Sequence, residues 1–172
     1  MKTTLILICS LALAGFSHAA EETTHLAGRA SKTPGPPGYA NVPQDDKAID
    51  AAVDRAQKSL GLFIAALKKK RDGDERFEIK KGFDDGQQVE HIWVDQLTWD
   101  GKLFHGRINN KPLDVKNVRL GQSVTVAPRD VSDWMFIRDG KLIGGYTTRI
   151  FYRRLSAADR AEFDKEARFT IQ

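Results

Sequence analysis

The sequence predicts an α+β fold: an N-terminal amphipathic helix, an antiparallel sheet of five or six strands, and two C-terminal helices. Three observations predict it. Apolar residues recur at three- and four-residue steps from Ile49 to Leu67, the period of one helix face. The period then changes to two between Phe77 and Ile143, over runs rich in β-branched and aromatic residues. Asp-Gly pairs at Asp100-Gly101 and Asp139-Gly140 lie between such runs, where two-residue hairpins turn.

Residues 1–19 read as a signal peptide outside the fold. Lys2 supplies a positive start, and Leu5 to Phe16 form an apolar stretch too short to span a membrane. Ser17 and Ala19 are the small residues that a signal peptidase inspects, so cleavage is expected after Ala19, with Ala20 the second choice. Ile8, directly before Cys9, is bulkier than lipid attachment accepts. Cleavage removes the single cysteine, and with it any disulfide, thiol nucleophile or thiolate metal site. The formal net charge of +4 falls by one with Lys2, too little for a nucleic-acid binder. Residues 20–44 carry Pro34, Pro36, Pro37 and Pro43 with Gly35 and Gly38, the composition of a disordered tether. Residues 45–172 form a single domain.

Within the domain the elements follow in order. Ile49, Val53, Ala56, Leu60, Phe63, Ile64 and Leu67 draw the first helix stripe. Asp45 and Asp46 at its start and Lys68 to Arg71 at its end suit the helix dipole, and Gly73 offers a left-handed stop. Phe77 and Ile79 begin a strand, and Val89 to Trp99 form a longer one that returns through Leu103 to Ile108. A short strand is expected around Val124 to Val126, then a hairpin of Trp134–Ile137 and Leu142–Ile143. Tyr146 to Arg154 reads as helix, with Ile150, Phe151 and Leu155 inward. A last helix opens at Ser156, with Asp159 at capping-box spacing.

The blocks "FEIKKGF", "EHIWV", "GKLFHGRINNKP", "LGQSVTV", "SDWMF" and "GGYTTR", in this order, resemble the YegJ-like bacterial family, a domain of unknown function. The resemblance runs from about Asp45 to the C-terminus. It implies a small α+β domain and brings no established activity, so chemistry has to be argued from residues.

A two-residue turn at Asp100-Gly101 pairs Trp99 with Lys102, Leu97 with Phe104 and Gln96 with His105. His91, Trp93, Leu97 and Trp99 then share a face with Phe104 and Ile108, while Glu90, Ile92 and Val94 share the other with Leu103 and His105. His91 and His105 therefore point apart and cannot hold one metal, and no cofactor motif is present. Ser123 and Ser132 lack a nucleophile elbow, and Gly144-Gly145 lacks the Lys-Ser or Lys-Thr of a phosphate loop. Glu90, Asp95, Asp130 and Asp133 remain as acids from which a hydrolytic pair can be drawn.

The candidate binding residues are Gly144, Gly145, Thr147, Thr148, Arg149, Asp133, Trp134 and His91; no catalytic or metal-ligating residue is assigned. Gly144-Gly145 swings the chain into a helix whose exposed amides favour an anion, reinforced by the threonines and Arg149, with Lys80 and Lys81 near. The architectural alternative has the glycines serving close backbone passage and the threonines serving as caps. Trp93 and Trp134 are expected as core anchors. Together these features predict an exported, periplasmic or secreted, non-catalytic binding or interaction domain without a transmembrane segment. Its partner is a protein or an anionic envelope ligand, not nucleic acid, and immunity-type inhibition is one concrete form. A carboxylate-dependent cell-wall hydrolase is the other expectation.

Overall fold

The structure, a computed structural model, describes residues 5–8, 39–42 and 46–172. Two short strands, β1 (Leu5–Ile8) and β2 (Tyr39–Val42), pair antiparallel with each other. The cleavage site expected after Ala19 and most of the tether over residues 20–44 lie outside the described residues.

Asp46 sets the start of α1 (Lys47–Lys68): its carboxylate accepts the amides of Ala48 and Ile49, two donors that lack a partner within the helix. The same carboxylate takes two hydrogen bonds from Arg154, at 2.5 and 2.9 Å. That guanidinium, the first of the influences on it, holds Asp46 down at about 2. One residue thus caps α1 and ties it to α2 (Tyr146–Arg154).

Six strands form the antiparallel sheet of the domain: β3 (Asp74–Asp84), β4 (Val89–Trp99), β5 (Phe104–Ile108), β6 (Ser123–Val126), β7 (Val131–Arg138) and β8 (Lys141–Gly144). Their spatial order is β6-β5-β4-β3-β7-β8, and β1 adds in parallel to β4 from Leu5↔Val89 to Leu7↔His91. The class expected from the sequence is the class observed. No helix among the described residues is long and apolar enough to cross a membrane.

The apolar stripe of α1 covers one face. Phe63 is fully buried there, with ring centroids 5.4 Å from Trp134, 5.8 Å from Phe77 and 6.0 Å from Phe104. Trp134 also donates its indole N–H to the carbonyl of Ala56, so its polar atom is satisfied inside the core. A second cluster closes the other face: Trp93, Met135, Ile137 and Leu142 pack with Ala167, the last residue of α3 (Ala157–Ala167), and with Phe169 beyond it. Trp93 and Trp134 are each 1% exposed, as expected of core anchors.

The hairpin at Asp139-Gly140 is the expected two-residue turn: Arg138 pairs with Lys141, and both turn residues have positive φ. The other hairpin differs. Trp99 pairs with Phe104, not Lys102, and Asp100 accepts the amides of Lys102 and Leu103 to make a four-residue loop. A bulge follows between Asp95 and Thr98, with Gln96 at φ 48°. That extra residue flips the alternation, so Leu97 and Trp99 join Ile92 and Val94 on the α1 face, and Trp93 lies on the other. The opposed faces expected for His91 and His105 are thereby corrected: alternation now returns both to one face, and distance along β4 separates them instead. His91 pairs with Gly82, whereas His105 pairs with Thr98 and bonds Asp100 in the loop.

Candidate functional site

The "GGYTTR" stretch is built as expected locally, but its helix-start amides face a carboxylate of the chain itself. Gly144 and Gly145 both have positive φ, and a Cβ on Gly144 would lie 2.3 Å from the carbonyl oxygen of Trp134. Only glycine lets β8 pass that close and turn into α2. Asp133 then accepts the amides of Trp134, Tyr146 and Thr147 and the hydroxyl of Thr147, at 2.5–3.1 Å. Burial pushes the Asp133 carboxyl up, and Lys80 and the Thr147 donors pull it back. Lys80, itself fully buried, lies 4.4 Å over the Trp93 ring and donates to Thr147 at 3.1 Å.

This geometry corrects the expected contact surface. Asp133, Trp134, Thr147 and Thr148 are interior residues, at most 1% exposed, so an external ligand does not reach them. Arg149 faces three carbonyls rather than a ligand: Gly144, Leu142 and Gln172 accept from its guanidinium. His91 reaches across β3 to Ser132, Nδ1 to Oγ 2.7 Å. Burial, and then the charge of Lys80, lowers His91 to about 4, so it is neutral at physiological pH. Among the described residues no group of three His, Cys, Asp or Glu is placed to hold a metal.

Of the acids expected to supply a pair, Glu90 is fully buried and clamps the chain after β5 by accepting the amides of Leu113, Asp114 and Val115. Asp130 lies 3.7 Å from Arg129 on the surface. Asp95 alone faces a cleft, and its companion there is Glu78, which the sequence reading passed over.

That cleft forms where β3 and β4 part. Their ladder ends at Ile79↔Val94, and beyond it both strands bulge, with Arg76 at φ 53° and Gln96 at φ 48°. The space between Arg76–Glu78 and Asp95–Leu97 is about 350 Å³, and Lys70, Glu75 and Asn109 complete its walls. Gly106 holds the β4 bulge open from β5: a Cβ there would lie 2.5 Å from the carbonyl oxygen of Asp95. Glu78 is 3% exposed, and its Oε2 has no hydrogen-bond partner among the described residues. Arg76 stands 3.8 Å from the other oxygen, a long ion pair. Burial above all pushes Glu78 up to about 7, against the pull of Arg76 and Asn109, and Asp95 adds to the rise. Asp95 is also raised, by burial first, with Arg107 opposing.

Through Gln96 the cleft adjoins a shallower groove of about 300 Å³ on the polar face of β5 and β6. Arg107, Ser123 and Thr125 are exposed there, and His105 bonds both Asp100 and Thr125. The two spaces, the cleft between β3 and β4 and the groove over β5 and β6, share Gln96 as a wall.

Two curated relatives share this domain. A Neisseria meningitidis serogroup B protein named "Putative ankyrin repeat protein NMB1133/NMB1171" is 33% identical over 131 residues, 72% of this chain and 52% of the relative. "Uncharacterized protein YegJ" of Escherichia coli K12 is 38% identical over 103 residues, 60% of this chain and 66% of the relative. The chain therefore spans about half of the first relative's length and about two thirds of the second's. No solved structure matches it. The ordered motifs, the α+β architecture and a match across residues 46–170 agree: the chain belongs to the bacterial family DUF2314, described as "Uncharacterized protein conserved in bacteria".

Proposed function

We propose that the chain is an exported, non-catalytic interaction domain that binds a protein partner through the polar surface of β4, β5 and β6. One observation carries the reading: a cleft of about 350 Å³ between splayed strands, sharing Gln96 with an exposed polar groove, holds a buried carboxylate oxygen that has no partner among the described residues. Buried polar groups are normally satisfied, and an unsatisfied one facing a cleft marks a place for a ligand atom. The relative named for ankyrin repeats supports the reading, because such repeats present extended binding surfaces and that protein extends well beyond the shared domain. Inhibition of a partner enzyme is one form such a contact takes. The anionic ligand expected at α2 is not part of the proposal, since Asp133 occupies those amides.

Affinity capture from envelope extract tests the reading, with wild type beside Arg107→Glu. A protein retained by wild type and lost with the variant supports it. Equal retention by both, or none by either, counts against this surface.

A second reading, a carboxylate-dependent cell-wall hydrolase, is favoured by the same acids. Glu78 at about 7 has the pKa of a general acid at neutral pH, and Asp95 supplies a second carboxylate. Its weakness is depth, because a glycan has little access to a side chain 3% exposed. Release of soluble fragments from purified peptidoglycan, abolished in Glu78→Gln, would favour the enzyme.

A further inference from the structure

We propose that the cleft between β3 and β4 receives a cationic side chain, a lysine or arginine on its alkyl stem, from the partner protein. The inference rests on the interaction reading and names the chemistry of the contact.

Two carboxylates meet in this cleft with too few donors. Glu78 presents a buried oxygen that accepts nothing, and Asp95 takes part in no ion pair among the described residues. The basic neighbours all have other partners, and Arg76 reaches only the other Glu78 oxygen, at 3.8 Å. Arg76 donates to the carbonyl of Ala167 and lies 5.5 Å over Phe169. Lys70 sits 5.0 Å over Phe77, Arg107 donates to the carbonyl of Gly121, and Lys80 donates to Thr147. Glu75, on the cleft wall, adds a further negative group. A cation entering here gains two acceptors whose ionisation the protein alone disfavours.

Shape decides which cation. A volume of about 350 Å³ suits an alkyl stem far better than a bare ion, and Phe77 and Leu97 give the cleft an apolar wall beside its acids. Lysine and arginine lay their methylenes on such walls while the charged head reaches a polar floor. The two bulges hold the strands apart, and Gly106 gives the β4 bulge room.

The test is a titration of the isotope-labelled full chain, following the side-chain amides of Gln96 and Asn109. The probes are N-acetyl-lysinamide, N-acetyl-argininamide, N-acetyl-norleucinamide as an apolar control, and magnesium chloride. Saturable shifts with a cationic probe, weakened at least about tenfold in Glu78→Gln or in Asp95→Asn, support the proposal. Asp95→Asn changes a half-buried group, so it keeps the test open should Glu78→Gln unfold the domain. The tighter of the two cationic probes identifies the head group. Equal response to the norleucine compound, tighter binding of magnesium, or unchanged binding in both variants overturns it. Partner capture that depends on Arg107 without any probe binding overturns the cleft alone. Probe binding without any captured partner supports the cleft chemistry and counts against the protein-contact reading.

Discussion

The carboxylate of Asp133 caps α2 from within the sheet, accepting the Thr147 amide at 2.8 Å and the Thr147 hydroxyl at 2.5 Å. Because β7 and β3 place Asp133 opposite Lys80, the buried acid faces a buried cation as well. Asp133→Asn removes the charge opposite Lys80 and is expected to cost about 3–5 kcal/mol in urea unfolding. Sulfate should stabilise wild type no more than an equally concentrated neutral osmolyte does. Specific sulfate stabilisation would show that α2 has amides to spare.

Arg149 follows from the same geometry. An exposed helix-start arginine contributes little to stability, but this one donates to three carbonyls, including that of the terminal residue Gln172. Arg149→Ala is expected to lower the melting temperature and loosen the C-terminal tail, seen as faster amide exchange at Thr170, which bonds Gly140. Unchanged exchange there would return Arg149 to the surface.

How much was legible in the sequence depended on whether a pattern carried its own mark. The stripe of α1, the Arg138–Lys141 hairpin and the bounds of α2 were all readable, because period, turn residues and a Gly-Gly break announce them. The bulge at Gln96 was not, since one inserted residue in an alternating strand changes no composition. Its trace was Gly106 on the returning strand, a small residue where β5 passes the bulge. Glu78 was missed, and the burial of Lys80 with it, because alternation with Phe77 and Ile79 reads as a solvated face. Ala167 and Phe169 cover that face, and α3, which leads to them, shows little apolar periodicity to warn of it.

Two buried groups give the domain opposite responses to pH. Glu78, raised from 4.5 to about 7, stabilises fully below 4.5 and loses that contribution as pH rises through 7. His91, lowered from 6.5 to about 4, contributes fully above 6.5 and loses it as pH falls towards 4. Each swing is on the order of 3 kcal/mol, so wild type should change little between these limits. Glu78→Gln should lose stability on acidification and His91→Gln should gain it. Parallel pH profiles for all three proteins would contradict both assignments.

Export has a structural consequence. If the mature chain begins at Ala20, as the expected cleavage after Ala19 requires, β1 leaves with the leader and frees the edge of β4 from Val89 to His91. N-terminal sequencing of envelope-fraction protein should read Ala20 first. Intact Met1 would contradict export and keep β1 in the sheet.

Gly106→Ala tests the bulge without touching an acid. Its Cβ would meet the Asp95 carbonyl oxygen at 2.5 Å and Leu97 Cδ2 at 2.8 Å, so the strands must shift. A loss of about 1–3 kcal/mol is expected by chemical denaturation, together with altered side-chain amide signals for Gln96. A variant as stable as wild type with unchanged signals would show that β5 does not shape the cleft.

The central claim is that the cleft between β3 and β4 holds a buried carboxylate awaiting a ligand atom. Carbon-detected NMR titration of the Glu78 side chain in the full chain tests it most directly. The account predicts a midpoint near 7 that falls when N-acetyl-lysinamide or N-acetyl-argininamide saturates the cleft. A midpoint near 4.5, unmoved by either probe, would mean that Glu78 is solvated and would contradict the claim.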